Sequence, residues 1–138
     1  MIRLNFGANN NVILTLTENV TIASPVYLCE LTNQQSLEQS YLLLTDSSNY
    51  KQRYNKVGIF VSSDPNCDTL AGEVCLTNTG FYDYTIYECT SSPAHDTAEE
   101  YIPNIQGTLE VGLMWLIPPT TTDDIYEPDN NDTIIYQP

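Results

Sequence analysis

The chain divides into short runs of alternating apolar and polar residues, each closed by a cluster of turn formers, and no segment keeps a helical period. A period of two turns one face of a strand to a core and the other to water, so the pattern predicts an all-β domain. Val12–Thr17 sets Val12, Leu14 and Leu16 against Ile13, Thr15 and Thr17. After a turn at Ala23-Ser24-Pro25, Val26–Thr32 places Tyr27, Cys29 and Leu31 on one face. Gln39–Thr45 is a strand with either Leu42 and Leu44 or Tyr41 and Leu43 inward. Val57–Val61 and Glu73–Thr77 follow, with Val57, Ile59, Val61, Val74 and Leu76 inward. Phe81–Glu88 carries Tyr82, Tyr84 and Ile86 on one face and Phe81, Asp83, Thr85 and Tyr87 on the other. The longest strand, Thr108–Ile117, alternates Leu109, Val111, Leu113, Trp115 and Ile117, with Gly112 marking a bulge or a close backbone approach. Seven short strands with turns between them predict a sandwich. The connection Ser91–Gln106 has room for a short helical turn at Asp96–Tyr101.

At 138 residues the chain fits one domain. Its net charge of −14 repels phosphate backbones and anionic lipid, so nucleic acid and membrane surfaces are not expected partners. Two readings of that charge stay open: solubility by self-repulsion, or a partner with a basic patch. No apolar stretch approaches the roughly 20 residues of a membrane helix. Met1-Ile-Arg-Leu-Asn-Phe-Gly turns polar at Asn9, Asn10 and Asn11 with no apolar signal core, so the protein is expected to stay in the cytoplasm or leave it by an unusual route. In that reducing setting Cys29, Cys67, Cys75 and Cys89 read as free thiols, Cys29 in the core and Cys67 in a loop. No Cys-x-x-Cys spacing supports a zinc site.

Chemistry-bearing patterns are sparse. The single His, His95, sits in Ser-Pro-Ala-His-Asp and reads as a solvated loop residue. There is no Gly-x-Ser-x-Gly elbow and no phosphate-cradling glycine loop. Asp123, Asp124, Asp129 and Asp132 offer hard oxygen ligands without the spacing of a calcium loop, and solvated carboxylates explain them as well. The expectation is a protein that is not an enzyme, with no catalytic residue, cofactor or metal.

One motif is more specific. Gly80-Phe81-Tyr82 opens a strand after Asn78-Thr79, as in the tyrosine corner of immunoglobulin-like sandwiches, where the Tyr hydroxyl bonds to upstream backbone. Gly80 and Tyr82 are thus the expected structural corner. The expected fold is an all-β, immunoglobulin-like sandwich of about seven strands over residues 1–117, followed by an extended acidic C-terminal arm over residues 118–138.

Val26-Tyr27-Leu28-Cys29-Glu30-Leu31-Thr32-Asn33, Tyr50-Lys51-Gln52-Arg53-Tyr54-Asn55-Lys56, Gly80–Glu88 and Leu109-Glu110-Val111-Gly112 occur in that order. In this the chain resembles small immunoglobulin-like virion structural proteins of tailed phages of Bacteroidetes, including crAss-like phages. The resemblance covers about residues 12 to 117. It implies a non-enzymatic virion component, a capsid auxiliary or decoration protein or a neck or tail component. Such a protein is present in many copies and assembles with other virion proteins in the host bacterial cytoplasm. The alternative is an adhesive module that binds a host-surface glycan or protein through its Tyr-rich faces.

Two segments are candidates for the protein interface. Lys51, Arg53 and Lys56 are three of the 4 cations, facing either a neighbour or carboxylates of their own domain. In the arm, Ile125, Tyr126 and Thr133-Ile134-Ile135-Tyr136 supply apolar anchors with strand propensity. They either add a strand to the edge of a neighbouring subunit or fold back on their own domain.

Overall fold

Among the described residues eight strands form: β1 (Ile2–Asn5), β2 (Asn9–Leu14), β3 (Val26–Asn33), β4 (Gln39–Leu44), β5 (Asn55–Ser62), β6 (Glu73–Cys75), β7 (Gly80–Cys89) and β8 (Ile105–Ile117). This is a computed structural model that describes residues 1–50, 52–62 and 64–118. The strands make two sheets, one in the order β1-β8-β7-β3-β4 and one in the order β2-β5-β6. The chain is an all-β sandwich whose core lies between them. Leu4, Leu16, Leu42, Val57, Val61 and Leu116 are fully buried there.

The antiparallel run β8-β7-β3-β4 is the strand order of the larger sheet of an immunoglobulin variable-type domain. Two features depart from a simple hairpin meander. β1 joins β8 in parallel, and β6 joins β5 in parallel. β1 was not anticipated, although Ile2 and Leu4 alternate with Arg3 and Asn5. It is brief, and its pairing partner lies at the far end of the sequence.

The corner is formed as the motif predicts. Gly80 has φ +115°, a backbone conformation that L side chains rarely adopt, and it aims Tyr82 into the core at 3% exposure. The Tyr82 hydroxyl donates to the carbonyl of Asn78. From there Tyr82, Tyr84 and Ile86 point inward and sit opposite Met114, Gly112 and Glu110 of β8.

That register corrects the reading of β8. Of the apolar residues alternating along it, only Leu109 is buried, at 6%, whereas Val111 is 67% exposed. The pairing steps from Ile86↔Glu110 to Tyr87↔Thr108, so Leu109 is the extra residue of a bulge and the inward phase changes there. Beyond it, Met114 and Leu116 fill the core while Leu113, Trp115 and Ile117 face out. Gly112 serves the close approach: a Cβ there would meet the Tyr84 ring at 2.7 Å.

On β4 the register puts Leu42 and Leu44 inward. Tyr41 and Leu43 instead join a second, smaller core on the outer face of the five-stranded sheet, built on Leu28, Cys89, Ala98 and Tyr101. The connection 90–104 ends in a 3₁₀ turn, Glu99–Asn104, and supplies the cover. Buried Asn104 holds it closed by donating to the carbonyls of Thr90 and Pro93 at 3.0 and 3.1 Å.

Candidate protein interface

The outer face of the larger sheet has two halves. The half over β3, β4 and the end of β7 lies under the 90–104 connection. The half over β8 and the start of β7 carries Phe81, Val111, Leu113, Trp115 and Ile117, none of which belongs to either core. Phe81 is 45% exposed. Arg3, Trp115 and Phe81 are cross-strand neighbours on β1, β8 and β7, and they form a row. The Phe81 and Trp115 rings stack with centroids 6.0 Å apart, and the Arg3 guanidinium lies 5.9 Å from the Trp115 ring centre. Both geometries are attractive, through offset stacking and the ring quadrupole respectively. The row covers the flat faces of Trp115 and leaves ring edges and the Phe81 face outward. An apolar stripe of this kind, rimmed by polar residues, is the surface signature of a contact site.

Polar groups beside the stripe are already engaged. Glu30 accepts from the hydroxyls of Tyr41 at 2.8 Å and Tyr87 at 3.2 Å. Desolvation, followed by the hydrogen bond and charge of Glu30, pushes the Tyr41 hydroxyl up to about 12. At the inner side of β8, the Tyr84 hydroxyl donates to Glu110 at 2.5 Å. Burial, then that carboxylate, raises the Tyr84 phenol as well. These phenols stay protonated at neutral pH and act as donors, not nucleophiles.

Arg53 and Lys56 are both exposed, but they lie away from the stripe. Lys56 is on the outer face of the three-stranded sheet opposite Ile13, itself 59% exposed. Arg53 is in a tight turn in which the amides of Arg53 and Tyr54 donate to the Tyr50 carbonyl at 2.9 and 3.1 Å. Tyr50 is 63% exposed, with its ring centre 6.5 Å from that of Tyr54. Lys51, Ile125, Tyr126, Ile134, Ile135 and Tyr136 lie outside the described residues, as do the acidic Asp123, Asp124, Asp129 and Asp132.

Two expectations are corrected here. Cys67 and Cys75 form a disulfide, closing a loop of sequence separation 8 over the β4 edge, where its Leu70 packs on the smaller core. Cys29 and Cys89 are free and buried, and burial pushes their thiols up to about 12 and about 11. His95 is not a solvated loop residue. It is partly buried, its ring meets Tyr101 edge-on at 4.8 Å, and its Nε2 lies 3.2 Å from Asn104 Oδ1. It locks the connection that covers the smaller core.

The stripe was missed because Leu113, Trp115 and Ile117 read as core. Their outward phase is set by the Leu109 bulge and the register of β8 against β7, which periodicity does not carry. A cleft of about 580 Å³, lined by Pro25, Tyr27, Leu43, Leu44 and Asp46 among others, opens at one end of the sandwich. Comparison with protein-family models, with curated proteins and with solved structures gives no match.

Proposed function

We propose that this protein is a non-enzymatic structural component of a tailed-phage virion, a capsid auxiliary or a neck or tail subunit, that holds neighbouring subunits by protein–protein contact. The observation that carries the reading is the stripe of Phe81, Val111, Leu113 and Trp115, which no described residue covers, on a sheet whose other half is covered by its own connection. The resemblance of residues 12 to 117 to small phage virion proteins points the same way. The disulfide Cys67–Cys75 suits a particle that is released from the cell, because virion surfaces are oxidising whereas the cytoplasm is not.

The test is to purify particles made from the genome that encodes the chain and quantify their proteins by mass spectrometry. The expected result is multi-copy incorporation that survives a salt wash. Incorporation should be lost in a chain carrying Phe81→Ser and Val111→Lys. Particles of full composition that lack the wild-type chain overturn the reading.

A second reading, an adhesive module for a host-surface glycan or protein, draws on Tyr50, which is 63% exposed beside Tyr54 and Arg53 at a loop end. Exposed phenol rings can stack on sugar faces, whereas Trp115 has its faces covered by Arg3 and Phe81. Binding to a glycan array that vanishes in Tyr50→Ala and persists in Val111→Lys would select this reading.

A further inference from the structure

We propose that the stripe of Val111, Leu113, Trp115 and Ile117, with Phe81 beside it, is the seat for the C-terminal segment of a second copy of this chain, so that copies join head to tail. The inference rests on the structural role proposed above and names the partner.

Four observations lead to it. The stripe runs the length of one half-sheet without a cover among the described residues, and Val111 at its centre is 67% exposed. A stripe about one strand wide fits an extended apolar segment. The chain supplies one: residues 119–138 contain Ile125-Tyr126 and Thr133-Ile134-Ile135-Tyr136, rich in strand-forming residues. The segment also contains Asp123, Asp124, Glu127, Asp129 and Asp132 and no cation. Among the described residues the stripe presents one cation, Arg3 beside Trp115, that can meet these carboxylates, and one like charge, Asp83 opposite Leu113.

Reach permits a neighbour as the partner. The segment departs at Pro118, directly after Ile117 at the end of the stripe. Pro119 biases Pro118 itself towards extended backbone. Ile134 lies 16 residues beyond Pro118, a reach of roughly 50 Å at full extension. A domain of this size has a radius of gyration near 13 Å, hence a diameter of roughly 35 Å, so the segment is long enough to reach a neighbouring sandwich. Because arm and stripe are different surfaces, the contact is heterologous, and it builds a ring or an open filament according to whether the rotation closes.

The test uses the full chain in three forms: wild type, a variant with a broken arm (Ile134→Asp with Ile135→Asp), and a variant with a broken face (Phe81→Ser with Val111→Lys). Trp115 is the only Trp and lies in the stripe, so its emission reports occupancy. Wild type should gain mass with concentration in sedimentation, and its Trp emission should move to the blue in step. Each variant alone should sediment as a monomer. Mixed, the intact face of one and the intact arm of the other should pair once, giving a species of twice the monomer mass. A mixture that stays monomeric overturns the proposal. So does a wild type that is monomeric throughout, including one whose emission shifts on breaking the arm without any change in mass, which would place the arm on its own face. Wild type that enters particles without self-association removes this partner and leaves the structural role standing.

Discussion

The Tyr84 ring occupies the space that a side chain at position 112 would need: a Cβ built on Gly112 would come within 2.6 Å of the Tyr84 hydroxyl and 2.7 Å of two ring carbons. The ring cannot easily swing away, because its hydroxyl is tied to Glu110 and it is 6% exposed. Gly112→Ala therefore forces an overpacked site, which typically costs about 1–3 kcal/mol and outweighs the half-kilocalorie or so that Ala gains in backbone entropy. The expected outcome is a lower urea midpoint at unchanged slope. A smaller residue in Tyr84→Leu should make the second substitution cheaper in the double variant than alone, a coupling that a denaturation cycle reads directly.

Tyr82→Phe removes the hydroxyl that donates to the Asn78 carbonyl and also lies beside the Asn33 side chain. Asn78 is exposed, so water can take over its carbonyl. The expected loss is thus at the low end, about 1 kcal/mol, with a fall in Tm of about 3–5 °C. Thermal unfolding of the two proteins side by side checks it.

Glu88 is 2% exposed, yet its carboxyl is held below the ordinary value of 4.5. Burial pushes it up. The Thr21 hydroxyl at 2.6 Å and the Thr21 amide at 2.8 Å, with the Ile22 amide, overcome that push by bonding the charged form. A carboxyl depressed on folding adds stability that is present above its unfolded value and is lost as pH falls through its folded value. Wild type should therefore lose stability on acidification below about pH 4.5, and Glu88→Gln should show less of that loss. At neutral pH the variant should be weaker by about 1–2 kcal/mol, since charged acceptors are replaced by a neutral one. Asp46, also lowered, keeps part of the acid slope in both proteins.

Reducing Cys67–Cys75 opens a loop of sequence separation 8, for which chain entropy predicts a loss of about 2–3 kcal/mol. Stability measured with and without a thiol reductant should differ by that amount, and a Cys67→Ser, Cys75→Ser chain should not respond to reductant. Cys29 and Cys89, buried with raised thiols, should label slowly in the native state and rapidly on unfolding.

Most of the sandwich was legible because its strands obey a local rule. The alternation in Val57–Val61 and in β7 maps directly onto burial, and Gly80-Phe81-Tyr82 marks the turn that sets the phase of β7. The face of β8 was not legible, because a bulge residue, Leu109, shares the core with residues of opposite parity, and no periodicity reveals an insertion. Buried polar residues escaped for a related reason. Asn55 is fully buried because it gathers the Leu16 and Thr17 amides, the Thr17 hydroxyl and Asp46, partners up to 39 residues away. Glu88 is buried by a partner 67 residues distant. The disulfide was hidden by an inference about the compartment, not by its spacing. Of the candidate interface segments, the arm and the basic loop are visible as composition. The stripe needed the register of β7 against β8.

The parallel pairing of β1 with β8 has a mechanical consequence. The chain enters beside Met114 and leaves beside Asn5, so the two ends of the folded unit lie at opposite ends of one pair of adjacent strands. Tension applied through the ends slides these strands lengthwise against each other, loading their bridging hydrogen bonds together instead of peeling them one at a time. Leu4, fully buried between the sheets, resists the same displacement. A sandwich tethered in this way bears load in shear.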